Sequence, residues 1–287
     1  MNIPQSVRKS VHDLLNISIT GAYTVGGGCI HNAREVVTEN GSFFLKFNER
    51  HHLSNFEVEA KGLNLLRFSE EVTVPQVIGY GEDENYAWLV LEFVKQAEKN
   101  ARYWEKLGWQ IAGLHRHTAS VFGLDFDNYI GSLPQRNHQH KRWLDFFITE
   151  RIRPMLLMAV NQRELGRSTA GYFEILFSRL KDFFPEEPPA LLHGDLWGGN
   201  ILTGETGFPV LIDPAVYYGH REAELAFMTL FDAIPQRFFD AYEEVYPLSP
   251  GYRDRFDLYN LYPLLVHVNL FGGGYIASVE NILRRFV

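Results

Sequence analysis

The chain is poor in several things, and each shortage narrows what it can be. It has one cysteine, Cys29, in 287 residues. No intramolecular disulfide can form, and a reducing compartment is the expectation. It lacks an excess of positive charge, with 27 Lys and Arg against 35 Asp and Glu and a net charge of −8. That balance argues against a general binder of nucleic acid or of anionic membranes, yet leaves room for an anionic nucleotide in a local basic pocket. No apolar run reaches membrane-spanning length, and the opening Met1-Asn2-Ile3-Pro4-Gln5-Ser6 has no signal-peptide core. The expectation is a cytoplasmic soluble protein. There is no GxGxxG and no Walker lysine, so neither a dinucleotide fold nor a P-loop fits. The histidines (His51-His52, His115, His117, His138, His140) match no zinc spacing and have no cysteines beside them.

What the chain does have is concentrated in one stretch. Leu191-Leu192-His193-Gly194-Asp195-Leu196-Trp197-Gly198-Gly199-Asn200 is followed by Leu211-Ile212-Asp213. Apolar runs lead into both aspartates. An Asp, an Asn shortly after it and a second Asp on a buried strand form the layout of a phosphoryl-transfer site. One Asp accepts the proton of an attacking hydroxyl, here Asp195. The Asn and the second Asp, Asn200 and Asp213, hold the magnesium that bridges nucleotide phosphates. Positioned oxygens and a metal supply most of the catalysis in such sites. ATP and Mg2+ are therefore the expected cofactors.

These strings, with Asp213-Pro214-Ala215 and Tyr218-Gly219-His220-Arg221-Glu222-Ala223-Glu224-Leu225-Ala226, resemble the fructosamine kinase (ketosamine-3-kinase) family. More distantly they resemble aminoglycoside phosphotransferases and choline kinases. Gly26-Gly27-Gly28-Cys29-Ile30 and His267-Val268-Asn269 extend the likeness over nearly the whole chain. The resemblance implies an α+β, protein-kinase-like fold of two lobes, the smaller β-rich and the larger mainly helical. It also implies phosphorylation of the 3-hydroxyl of ketosamines, which labilises the sugar–amine adduct and frees the amine.

Hydrophobic periodicity is consistent with that architecture. A helix is expected over Ile3 to Leu15, then strands over Ile19–Val25, Ala33–Thr38 and Ser42–Phe47, with a tight turn at Asn40-Gly41. A helix over Phe56–Phe68 and strands over Gln76–Tyr80 and Tyr86–Phe93 complete a nucleotide-binding lobe of residues 1–94. Residues 95–287 form the catalytic and acceptor-binding lobe. Helices are expected there over Ala101–Ala119, Trp143–Val160, Ala170–Phe184, Glu222–Phe231, Asp254–Phe271 and at the end up to Phe286.

In the first lobe, Gly26-Gly27-Gly28 lies between two expected strands, where backbone amides can approach phosphates closely. Lys46 sits in an apolar strand, where an unpaired ammonium would be costly. A phosphate and a helix carboxylate are its expected partners. Glu57 and Glu59 are the candidates, and the family pattern E-A-x-G-L selects Glu59. The backbone of Glu92, Phe93 and Val94 is expected to meet adenine. Cys29, beside the glycines, is a candidate redox thiol and could link two copies into a dimer; the chain is otherwise expected as monomer or homodimer.

In the second lobe, His193 is read as a structural support of the catalytic loop, and His115 as packing beneath it. Trp197 is read as a stacking surface for the acceptor sugar, and His267 as a second acceptor contact. Glu222 and Glu224 open a helix, where carboxylates complement the dipole. Two rivals stand beside the ketosamine reading. One is a phosphotransferase for a cationic acceptor such as an aminoglycoside or choline, disfavoured because Leu196, Trp197 and glycines, not acids, adjoin Asp195. The other is a non-catalytic nucleotide-binding module, disfavoured because Lys46, Asp195, Asn200 and Asp213 are all present.

Overall fold

The computed structural model describes residues 3–25 and 32–287. Helix α1 (Gln5–Leu15) precedes an antiparallel sheet of β1 (Gly21–Thr24), β2 (Asn32–Thr38), β3 (Gly41–Glu49), β4 (Val77–Glu82) and β5 (Tyr86–Glu92), in the order β1-β2-β3-β5-β4. Helix α2 (Leu53–Phe68) joins β3 to β4. Side chains alternate across a strand, and both faces of this sheet are covered. Leu45, Phe47, Trp88 and Val90 pack with Val7 and Val11 of α1. Ala87, Leu89 and Leu91 join Phe56, Ala60, Leu63 and Leu66 of α2 in the main core. Burying each large apolar side chain stabilises the fold by about 1.5–3 kcal/mol. Lys46 shares the α2 face, which is why its ammonium can meet a carboxylate from that helix.

The β2–β3 turn falls one residue earlier than expected. Thr38 pairs with Gly41, leaving Glu39 and Asn40 as the central residues. The Thr38 hydroxyl accepts the Asn40 N–H at 3.1 Å, and Gly41 takes the left-handed φ of +111° that closes the turn.

Beyond β5 the chain is mainly helical. Residues between Glu92 and α3 (Tyr103–His115) have no regular structure but are tied down. They lie along a small hairpin, β9 (Ile201–Thr203) with β10 (Pro209–Leu211). Ala97 N–H donates to the Thr203 carbonyl at 3.2 Å and Asn100 N–H to that of Gly207 at 2.9 Å. Lys95 pairs with Glu205 at 2.9 Å. A second hairpin, β6 (Asn128–Ile130) with β7 (Leu133–Gln135), precedes α4 (Trp143–Phe146). Helix α4 continues through a wider π-helical stretch, Phe147–Ile152, into α5 (Arg153–Asn161). Then come α6 (Arg167–Arg179), strand β8 (Ala190–Leu192), which pairs with β11 (Tyr217–Gly219), and helix α7 (Arg221–Phe231).

Helix α8 (Gln236–Val245) was not among the expected elements. Its signal is present: Phe238, Phe239, Tyr242 and Val245 recur at helical spacing just after Pro235. It packs closely on α3, because Gly108 leaves space where a Cβ would overlap the Phe238 carbonyl. Helix α9 (Tyr252–Phe271) is buried on every side from Leu258 to Val266. That explains why its middle is apolar all round. Helix α10 (Ile276–Phe286) packs against it and closes the chain. Among the described residues, no helix is long and apolar enough to cross a membrane.

Candidate active site

The catalytic string forms a loop between β8 and β9, and the second aspartate follows β10. Gly194 has φ +85°, and a Cβ there would overlap the Ala215 carbonyl oxygen, so this position admits glycine alone. His193 pins the loop with both ring nitrogens. Nε2–H donates to the Ile212 carbonyl at 3.0 Å, which leaves Nδ1 unprotonated to accept the Asp195 N–H at 3.3 Å. Burial holds this imidazole below its ordinary pKa, so it stays neutral.

Glu224 supports the same loop from below. Its Oε1 accepts the Gly194 N–H at 2.7 Å, and its Oε2 accepts the His193 N–H at 3.2 Å. His115 Nε2–H donates to Oε2 at 3.0 Å, while the Tyr242 hydroxyl donates to His115 Nδ1 at 2.9 Å. Burial alone would raise the Glu224 carboxyl; the hydrogen bonds from His115 and from the Gly194 N–H outweigh it and hold the group below its usual range. Glu222 and Glu224 are thus buried partners and not the exposed complement to a helix dipole that the sequence suggested. Glu222 pairs with Arg255 through contacts of 2.6 and 2.8 Å.

Asp195 is held by Asn200, whose Nδ2 donates to its carbonyl at 2.8 Å and to Oδ2 at 3.0 Å. Burial, reinforced by the charge of Asp213, pushes the Asp195 carboxyl up to about 7, near the optimum for a proton acceptor at neutral pH. Asp213 lies in the left-handed region at φ +54°, a strained conformation for a non-glycine residue. Its Oδ1 lies 2.6 Å from Lys46 Nζ, which also meets Glu59 Oε1 at 2.8 Å. Burial would lower the Lys46 ammonium, but the two carboxylates hold it above its ordinary value and keep it charged. Glu57 pairs instead with Lys61 at the surface, 2.8 Å away. Gly62 lets α2 approach this loop, since a Cβ there would touch Pro214 at 3.3 Å.

The donors present suit magnesium. Asn200 spends its amide N–H groups on Asp195, and its Oδ1 has no hydrogen-bond partner among the described residues, nor does Asp213 Oδ2. Both are hard oxygen ligands. Magnesium completes its shell with water and phosphate oxygens, so two protein ligands are enough.

Of the two residues expected to contact the acceptor, Trp197 is 39 % exposed and its ring lies over Gly199. His267 is half-buried within an aromatic cluster, with ring centroids 4.7 Å from Phe231, 4.9 Å from Tyr275 and 5.5 Å from Phe271. Its Nδ1–H donates to the Pro263 carbonyl at 2.7 Å, and burial lowers its pKa. Asp232, which the sequence reading passed over, links the two parts. It follows Phe231, and its Oδ2 accepts the Gly198 N–H at 2.8 Å. No local pattern marks it, because its partner lies far away in the chain.

Glu92 ends β5, with its N–H on the Gln76 carbonyl at 2.8 Å, and Phe93 and Val94 lead out of the sheet as half-buried residues of the connection. Gly26, Gly27, Gly28 and Cys29 lie outside the described residues. Among the described residues, no three His, Cys, Asp or Glu side chains cluster as a metal site of their own.

The pattern of the fructosamine kinase family matches residues 4–287. The chain belongs to the fructosamine kinase family. A probable ketoamine kinase of Synechocystis sp. is 37% identical over 268 residues, covering 91% of this chain and 88% of that protein. A solved structure from Thermobifida fusca, provisionally named a fructosamine-3-kinase, superposes with a TM-score of 0.88 at 35% identity, covering 98% of both chains. A thermostable mutant of aminoglycoside phosphotransferase APH(4)-Ia, solved with AMP-PNP and hygromycin B, reaches a TM-score of 0.63 at 16% identity over 98% of both chains. That last likeness speaks to the fold alone. The family member described here has the kinase-like architecture of a β-rich N-terminal sheet and a mainly helical remainder, and it is a kinase.

Proposed function

We propose that the protein transfers a phosphoryl group from ATP, with magnesium, to the 3-hydroxyl of a ketosamine such as a fructosamine or ribulosamine adduct, in the cytoplasm, as a deglycation enzyme. The observation that supports this most is the convergence of Asp195, Asn200, Asp213 and Lys46 from separate elements onto one place. In this reading Asp195 takes the proton of the acceptor hydroxyl. Asn200 and Asp213 hold the magnesium, which supplies charge stabilisation at the phosphates. Lys46, steadied by Glu59, aligns the phosphates, which Gly26, Gly27, Gly28 and Cys29 also bind. The backbone of Glu92, Phe93 and Val94 meets adenine near the boundary of the two lobes at residue 94. Trp197 stacks on the sugar and His267 lines the same side. The redox reading of Cys29, including a disulfide-linked dimer, rests on its place beside the glycines, and a non-reducing gel with and without peroxide tests it.

The deciding assay is ATP consumption against fructosamines, ribulosamines, aminoglycosides and choline. Turnover highest on a ketosamine, with the phosphate on its 3-hydroxyl, is the expected result. Faster turnover on an aminoglycoside or choline would overturn the acceptor, and no turnover on any of them would overturn the reading as a whole.

A further inference from the structure

Asp232 is the wrong residue for where it stands. It closes α7 at the C-terminal end, where carbonyl dipoles already leave partial negative charge and a cation is the stabilising choice. The last turn of that helix has no basic residue, and among the described residues Asp232 forms no ion pair. Its Oδ2 accepts the Gly198 N–H; its Oδ1 has no hydrogen-bond partner among the described residues. Pinning the loop does not explain the charge, since an asparagine carbonyl would accept the same bond. Places where local rules fail without compensation are where function is to be sought.

The surroundings suit a cation. Gly198 has Trp197 before it in sequence and Asp232 bonded to it, and Phe231 precedes Asp232. Trp197 and Phe231 are each 39 % exposed, and Phe271, which shares His267 with Phe231, is 64 % exposed. Aromatic faces attract a cationic nitrogen, and a carboxylate beside them adds a charge-assisted hydrogen bond. Burial keeps the neighbouring His267 imidazole neutral, so it does not repel a cation. Gly198 is also close in sequence to Asp195. In a ketosamine the amine nitrogen is only a few bonds from the 3-hydroxyl. An acceptor with that hydroxyl at Asp195 can therefore place its amine beside Gly198.

We propose that Asp232, bonded to Gly198 next to Trp197 and following Phe231 in the chain, binds the protonated amine of the acceptor and selects amine-bearing sugars over neutral ones. This rests on the ketosamine reading. It also revises the sequence argument that no acid borders the acceptor, because the acid arrives from a distant helix end.

The test compares a fructosamine with the same sugar acetylated on nitrogen, which is neutral, using wild type, Asp232→Asn and Asp232→Ala. Wild type should prefer the charged acceptor. Asp232→Asn keeps the bond to Gly198, so it should lower kcat/KM for the fructosamine about tenfold, mainly through KM. It should leave the acetylated sugar within about twofold, which also shows that the variant is folded. Asp232→Ala should impair both acceptors, because the loop loses its pin. An equal loss on both acceptors in Asp232→Asn, or no loss on either, would overturn the proposal. Wild type inactive on both sugars would instead overturn the ketosamine reading and the acceptor named here with it.

Discussion

The two sides of the catalytic loop are built differently. Below, the loop is over-determined: His193, Gly194 and Asp195 are held by a histidine clip, a glycine no other residue can replace, and a buried Glu224 backed by His115 and Tyr242. Above, on the side proposed to face the acceptor, Trp197, Phe231 and Phe271 stand exposed, and one half-buried aspartate joins the loop to α7. The chemistry needs its base placed to within a fraction of an ångström, and a buried network provides that. Acceptor choice needs exchangeable surface, and a few open rings provide it. In the proposed reading, one side is fixed and the other is open, so the acceptor-facing surface can change without disturbing Asp195.

Variants can break that contrast. The largest effect on turnover should come from Asp195→Asn, which removes the proposed proton acceptor and keeps the size of the side chain. A fall in kcat of about 100-fold or more is expected, with ATP affinity and unfolding midpoint near wild type. Near-normal turnover would show that another group takes the proton. Glu224→Gln should come next, and should strike stability as well as rate. It leaves His115 and two backbone N–H groups with a poorer acceptor in a dry site, at a cost of about 2–4 kcal/mol. Urea unfolding measures that loss. A variant as stable as wild type would mean that the loop does not depend on its support.

Trp197→Ala sharpens the comparison from the open side. About a tenfold loss in acceptor kcat/KM is expected, with little change in Tm, because the ring is exposed and is proposed to stack on the acceptor. A large drop in Tm with unchanged kinetics would place Trp197 among the structural residues. The smallest effect concerns pH. Burial alone would raise the Glu187 carboxyl, but two hydrogen bonds from Arg221, at 2.6 and 2.9 Å, hold it below the ordinary 4.5. A carboxyl depressed by folding adds stability that is complete above its unfolded pKa and is lost as pH falls through the folded value. The stability gap between wild type and Glu187→Gln should therefore be constant above about pH 5 and shrink in more acid solution. A gap that widens on acidification would contradict the assigned pairing.

Much of the site was legible because its chemistry lies in short local strings. The order His193, Gly194, Asp195, Asn200 and then Asp213 needs only the chain itself to be read, and the apolar strand around Lys46 demands a nearby carboxylate. Between Glu57 and Glu59 the family pattern, not helix phase, made the choice, and the fold places Glu59 against Lys46 and Glu57 in the solvent. What stayed hidden depends on distant partners. Glu224 resembles an ordinary first-turn acid until β8 is laid against α7. Asp232 has no neighbouring signal at all. The β2–β3 turn moved because the Thr38 side chain supplied an acceptor that the Asn-Gly rule ignores. Helix α8 carries a readable pattern between Pro235 and Pro247. The π-helical stretch inside the expected helix Trp143–Val160 changes no periodicity enough to be seen.

The small hairpin of β9 and β10 has a wider role than its size suggests. One end carries Asn200 and leads to Asp213; the other end, around Gly207, is stitched to the segment that connects the sheet to the helices. It therefore ties the segment leaving the sheet to the stretch that carries Asn200 and Asp213. The exposed turn at Glu205 looks like a convenient place for a tag or an engineered insertion. Lengthening it would detach the connection from the hairpin, and the fault would show in catalysis well away from the altered turn.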